Sequence, residues 1–168
     1  MGVTSFAYKL VLLLHILSAI IGFGGVLLNG LYASRAKKRP PAEALAVVED
    51  NAWVSMKVAE VFIYLTAVFG LGLVGLSDKL WKFSQTWVWL SVLIYVLALG
   101  LSHGVLFPTA KRMGVLMHEM AAGPPPVGGP PPQAAEMEQL GKKMGVVGPI
   151  LNLALIVILF LMVWKPGL

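Results

Sequence analysis

The chain contains no cysteine, which excludes disulfides, thiolate metal sites and cysteine nucleophiles. Charge is nearly as scarce. Asp, Glu, Lys and Arg make up 12% of the residues, about half the roughly 25% of an ordinary soluble domain. Of 168 residues only 8 are acidic and only 3 are histidine. No Ser–His–acid arrangement, phosphate-binding loop or paired-carboxylate site is visible, so no common hydrolytic or nucleotide-binding chemistry is indicated. A cleavable signal is missing too. The first apolar run is too long for an h-region, and its basic cluster follows it instead of preceding it.

What fills the space is apolar. Hydrophobic residues make up 58% and the mean hydropathy is +0.82. The composition predicts an all-α integral membrane four-helix bundle in one domain over residues 1–168, surrounded by lipid. Its spans fall at about 6–32, 53–76, 87–107 and 145–164, each near the ~20 residues that cross a hydrocarbon core. Between the first two, residues 42–51 read as a short surface helix, with Pro41 suited to the first helical position. Residues 134–143 read as a helical restart before the fourth span. Residues 123–133, GPPPVGGPPPQ, cannot hold a helix and read as a linker of polyproline character.

The net charge of +5 does not point to nucleic acid. The charges sit beside the apolar runs, where they act as topology signals and as contacts for anionic headgroups. One side of the membrane holds Arg35, Lys37, Lys38, Arg39, Lys57, Lys111, Arg112, Lys142 and Lys143; the other holds Lys9, Lys79, Lys82 and Lys165. The excess of positive charge predicts that the linker is cytoplasmic and that both termini face outward. The expected location is the cell inner (cytoplasmic) membrane, as a multi-pass protein.

The first span carries His15, Ser18, Gly22, Gly25 and Asn29 at steps of three and four. These positions share one helix face, and small or polar residues on one face of an apolar helix make a packing seam in lipid. Gly70, Gly72 and Gly75 match G-x-G-x-x-G in letters only; inside a membrane helix they permit close packing.

Ionisable groups in a bilayer cost about 2.5–3.5 kcal/mol at its centre, so His15, Glu60 and His103 require reasons. At ~1.5 Å rise per residue, His15, Thr66 and Tyr95 lie at one level, roughly 12–15 Å from the outer surface. Glu60 and His103 lie together at roughly 24 Å, with Asn152 between the two levels. The structural expectation for His15 is a bond to Tyr95 or Thr66; the functional one is a ligand to haem iron. For Glu60 the structural expectation is a pair with Lys57, three residues away; the functional one is a proton-handling site with His103. Met113, Met117, His118 and Met120 carry thioether and imidazole groups suited to copper(I), but methionines also pack amphipathic helices. No metal site is predicted.

The first-helix segment LLHILSAIIGFGG and the ending LMVWKPGL resemble a group of small four-helix bacterial membrane proteins. The group includes the CopD-type copper-resistance proteins, the HemJ-type protoporphyrinogen oxidases and uncharacterised relatives, and the chain is most similar to the last. The resemblance implies haem b on His15, beside Tyr95 and Thr66, in a redox role. The HemJ type also has a lysine in helix three, and this chain has none between Trp87 and Phe107. Two other functions are open on residues alone. One is an accessory subunit of a respiratory or photosynthetic complex, docking through the Trp-rich outer turn and the linker, with other membrane subunits or further copies as partners. The other is a small transporter or channel.

Overall fold

A computed structural model of the chain describes residues 2–123, 129 and 132–167. Four long helices, each apolar enough to cross a membrane, carry nearly all of it, and no strand occurs among the described residues. Helix α1 is Phe6–Ala36. Helix α2 covers 41–76 as Pro41–Val54, a π-helical turn at Ser55–Ala59 and Glu60–Leu76. Helix α3 is Thr86–Ala122, with a second π turn at Ser102–Leu106. Helix α4 is Pro132–Trp164.

The spans lie where hydropathy places them, but two boundaries differ. The surface helix near 42–51 is not separate. Nothing in Asn51-Ala52-Trp53 breaks a helix, so it runs into the second span and the extra residue is absorbed as a π turn. Likewise α4 does not restart at 145. It passes through Gly141, Gly145 and Gly148, and through Pro149, whose missing N–H forfeits one backbone bond. Most of the linker at 123–133 lies outside the described residues.

The burial pattern is that of a protein solvated by lipid. Leu13, Ile20, Ile156 and Val163 are exposed, whereas His15, Ser18, Thr66, Ser77 and Ser91 are buried. Lipid tails are as apolar as leucine, so close packing of small residues takes the place of hydrophobic burial in holding the helices together. The α1–α2 seam shows this directly. A Cβ on Gly22 would lie 2.8 Å from the Ile63 backbone nitrogen, and one on Gly25 would lie 2.9 Å from the Ala59 Cβ. Helices α3 and α4 form the second close pair. Between the pairs, the Cα atoms of 55–76 and 86–106 nowhere approach within 8 Å. Side chains must bridge that gap.

At the tryptophan-rich end Ser77 fixes the α2–α3 turn. Its Oγ accepts the Trp81 N–H at 2.9 Å and donates to the Val74 carbonyl at 2.8 Å. Asp78 and Lys79 adopt left-handed φ values of 55° and 66°, which makes the reversal tight.

Candidate functional site

The three side chains that spacing puts at one level, His15, Thr66 and Tyr95, each bond a different α2 carbonyl. His15 Nδ1 lies 2.8 Å from the Thr66 carbonyl oxygen. The Tyr95 hydroxyl donates to the Ile63 carbonyl at 2.8 Å, and the Thr66 hydroxyl donates to the Phe62 carbonyl at 2.8 Å. So His15 bonds Thr66 through its backbone, and Tyr95 serves a different carbonyl. A carbonyl can only accept, so His15 Nδ1 carries the hydrogen there. Gly70 makes the approach possible: a Cβ at that position would lie 3.0 Å from His15 Cε1. The sequence marks Gly70 only as small; that it seats the imidazole depends on the α1–α2 register.

Nearer the basic end, Glu60 and His103 meet as their spacing predicts, with a third member that sequence reasoning missed. Tyr64 Oη donates to Glu60 Oε1 at 2.8 Å and lies 2.7 Å from His103 Nε2. His103 Nε2 is 3.2 Å from the same Glu60 oxygen. The i, i+4 spacing of Glu60 and Tyr64 was the available signal. The expected Glu60–Lys57 pair does not form. Lys57 lies within the π turn at Ser55–Ala59, which Glu60 directly follows, so the regular i, i+3 spacing between them is lost. Both π turns border this site: Glu60 directly follows the first, and His103 lies within the second. Such turns recur at functional positions because they re-aim side chains from an otherwise regular helix.

The hydrogen count at this triangle decides its chemistry. His103 Nδ1 faces the Leu99 carbonyl at 3.0 Å, so it carries a hydrogen. With a neutral imidazole and an ionised carboxylate, only the phenolic hydrogen remains for three close contacts. The lone pairs of Nε2 and Oε1 then face each other. One further proton on Nε2 closes the set: Nε2–H donates toward Oη and Oε1, and Tyr64 O–H donates to Glu60.

A cavity of about 80 Å³ adjoins the triangle between the four helices, its lining including Asn29, Ser55, Glu60, Tyr95, His103 and Asn152. Its walls are otherwise mostly apolar. His15 is not in the lining.

The tryptophan-rich and basic ends are tied separately. Trp81 Nε1 donates to Tyr8 Oη at 2.8 Å, and Lys165 Nζ stands 4.1 Å from the Trp81 ring centroid. The Trp-rich turn expected to serve for docking therefore directs Trp81 inward, while Leu80 and Phe83 stay exposed. At the basic end Arg112 forms a two-bond fork with Glu136 at 2.7 and 2.8 Å, and His118 pairs with Glu49 at 2.7 Å. Met113 and Met120 line a groove with Met137, and His118 faces its carboxylate partner. Among the described residues no group of three or more His, Asp or Glu is placed to hold a metal.

These features define a multi-pass integral membrane protein built as two close helix pairs that touch directly at the basic end and are bridged by polar side chains between 55–76 and 86–106. The chain belongs to the family described as predicted integral membrane protein (DUF2269), whose model matches residues 9–166. No curated protein and no solved structure matches it.

Proposed function

We propose that this membrane protein binds and releases a proton at Glu60, Tyr64 and His103. One observation carries the reading: three titratable groups from two helices converge within 3.2 Å at membrane depth, in an arrangement one proton short of complete. Proton gain strengthens the bridge between α2 and α3, and proton loss weakens it. That couples protonation to the separation of the two helix pairs, as a proton-linked transporter or redox protein requires. The test is nitrogen-15 NMR of His103 in lipid nanodiscs. A two-proton imidazole in the natural chain, whose Nε2–H signal is lost in Glu60→Gln, supports the reading. An imidazole that stays neutral down to the pH of unfolding refutes it.

Haem ligation by His15 is a second reading, and one observation favours it. The Thr66 carbonyl takes Nδ1–H, which leaves Nε2 as the nitrogen with a free lone pair, the orientation a metal-bound histidine adopts. Against the size of a porphyrin the ring is enclosed: it is 8% exposed, sits flush against Gly70 and lies outside the cavity lining. Haem binding there requires the seam to open. A Soret band lost in His15→Ala supports it, and protein that stays colourless after haem addition refutes it.

A further inference from the structure

Titratable groups within a bilayer almost always turn to the bundle interior. Here Tyr64 is 41% exposed and the His103 side chain 42% exposed, on the face between α2 and α3. The Cα atoms of 55–76 and 86–106 stay more than 8 Å apart, and at this level the contacts of Glu60 and Tyr64 with His103 cross the gap. Glu60 and His103 also line the cavity of about 80 Å³, whereas Tyr64 is not among its lining residues. Tyr64 thus stands on the lipid side of the pair and closes the mouth of an internal space.

That space is apolar. Phe23, Ile63, Leu99, Phe107, Leu151 and Leu155 supply most of its walls. Toward the basic end Asn29 and Ser55 bond each other at 2.9 Å, and the Tyr95 hydroxyl is taken by the Ile63 carbonyl. Apolar cavities stay dry and take apolar guests. Tyr64 itself displays what the Glu60–His103 pair accepts. Its phenolic hydroxyl donates to Glu60 Oε1 at 2.8 Å and faces His103 Nε2 at 2.7 Å, with its ring centroid 6.1 Å from that of the imidazole. We infer that Tyr64 is a built-in plug in a binding site for a lipid-soluble phenol, hydroquinones included. The guest enters from the bilayer between α2 and α3. Its hydroxyl takes the place of the Tyr64 hydroxyl between Glu60 and His103, and its apolar substituents fill the cavity. The inference deepens the proton-binding reading and rests on it, because the pair that holds the proton is the pair that meets the hydroxyl. Size requires the exchange. Benzene occupies an apolar cavity of about 150 Å³, so a space of about 80 Å³ cannot admit a ring while Tyr64 is seated. Being exposed, Tyr64 can swing into lipid, and binding and unplugging become one event.

The test uses the full chain in lipid nanodiscs, with 4-decylphenol as probe and decylbenzene as the matched compound without a hydroxyl. Nitrogen-15 NMR follows His103 Nε2, and carbon-13 NMR follows the ring carbon that bears the Tyr64 hydroxyl. In the natural chain 4-decylphenol is expected to shift both signals saturably, and decylbenzene is expected to shift neither. Tyr64→Phe removes the tethered competitor, so half-saturation at His103 should fall at least tenfold in probe-to-lipid ratio. Equal responses to the two compounds, or a His103 signal that ignores both, overturn the inference. So does a Tyr64→Phe protein that binds 4-decylphenol no more tightly than the natural chain. The natural-chain measurement needs no substitution, so a misfolded variant does not decide the outcome. The two proposals fail separately. A two-proton His103 that never responds to 4-decylphenol refutes the plugged site alone. A His103 that responds to the probe yet stays neutral down to the pH of unfolding refutes the proton-binding reading instead.

Discussion

Alanine at Gly22 would place a methyl carbon 2.8 Å from the Ile63 nitrogen, 3.0 Å from Ile63 Cγ1 and 3.1 Å from the Phe62 carbonyl carbon. Two of these atoms are backbone and cannot rotate away. Ordinary contact begins near 3.4 Å, so the α1–α2 seam must open by more than half an ångström along its length. Overpacking of this kind costs about 1–3 kcal/mol. Alanine also favours a helix over glycine by about 0.8–1.0 kcal/mol, which offsets part of the strain. The expected net loss is about 0–2 kcal/mol. Gly24→Ala is the matched control: it lies two residues away on the same helix with nothing within 4 Å of its added methyl. It gains the helix term, up to ~1 kcal/mol, without the strain. Reversible unfolding in mixed micelles, followed by tryptophan fluorescence, should separate the two variants by at least 1 kcal/mol with Gly22→Ala the weaker. A Gly22→Ala protein as stable as Gly24→Ala would refute the claim that backbone approach at this stripe holds the first helix pair.

Gly70→Ala meets a side chain, not backbone, so His15 can turn aside; the expected result is loss of the His15–Thr66 bond at about 0.5–1.5 kcal/mol, seen as a changed Nδ1 signal in nitrogen-15 NMR. Trp81→Phe keeps an aromatic face for Lys165 but removes the donor to Tyr8, and should cost about 0.5–1.5 kcal/mol in micelle unfolding. Trp81→Leu should cost more, because cation–π contact adds ~0.5–1 kcal/mol at exposed sites; equal losses in the two variants would remove Lys165 from the account. Exchanging Arg112 and Glu136 preserves an exposed ion pair of the kind worth ~0–1 kcal/mol, so the swap should leave the melting midpoint nearly unchanged while Glu136→Lys alone lowers it in low salt.

The four spans and the packing stripe were legible in the sequence because both follow from short-range periodicity. A run of about 20 apolar residues forces a spanning helix, and steps of three and four place His15, Ser18 and Gly22 on one buried face. Rise per residue also paired Glu60 with His103 across two helices. What could not be read depends on register. Neither π turn has a composition signal, yet the first turns Lys57 away from Glu60 and so removes the pair that spacing alone favoured. Tyr64 completes the triangle only once His103 is placed opposite it. Lys165 and Trp81 are far apart in sequence, and their contact exists because the C-terminal segment and the α2–α3 turn return to the same end of the bundle.

The central claim is that Glu60, Tyr64 and His103 form one proton-binding unit. The most direct measurement is a nitrogen-15 and carbon-13 NMR titration of His103 and Glu60 together, in nanodiscs, for the natural chain and for Tyr64→Phe. The account predicts coupled transitions of the two groups in the natural chain. It also predicts a shift of both transitions in Tyr64→Phe, because the phenol no longer donates to Glu60. Independent transitions that ignore the loss of the Tyr64 hydroxyl would contradict it.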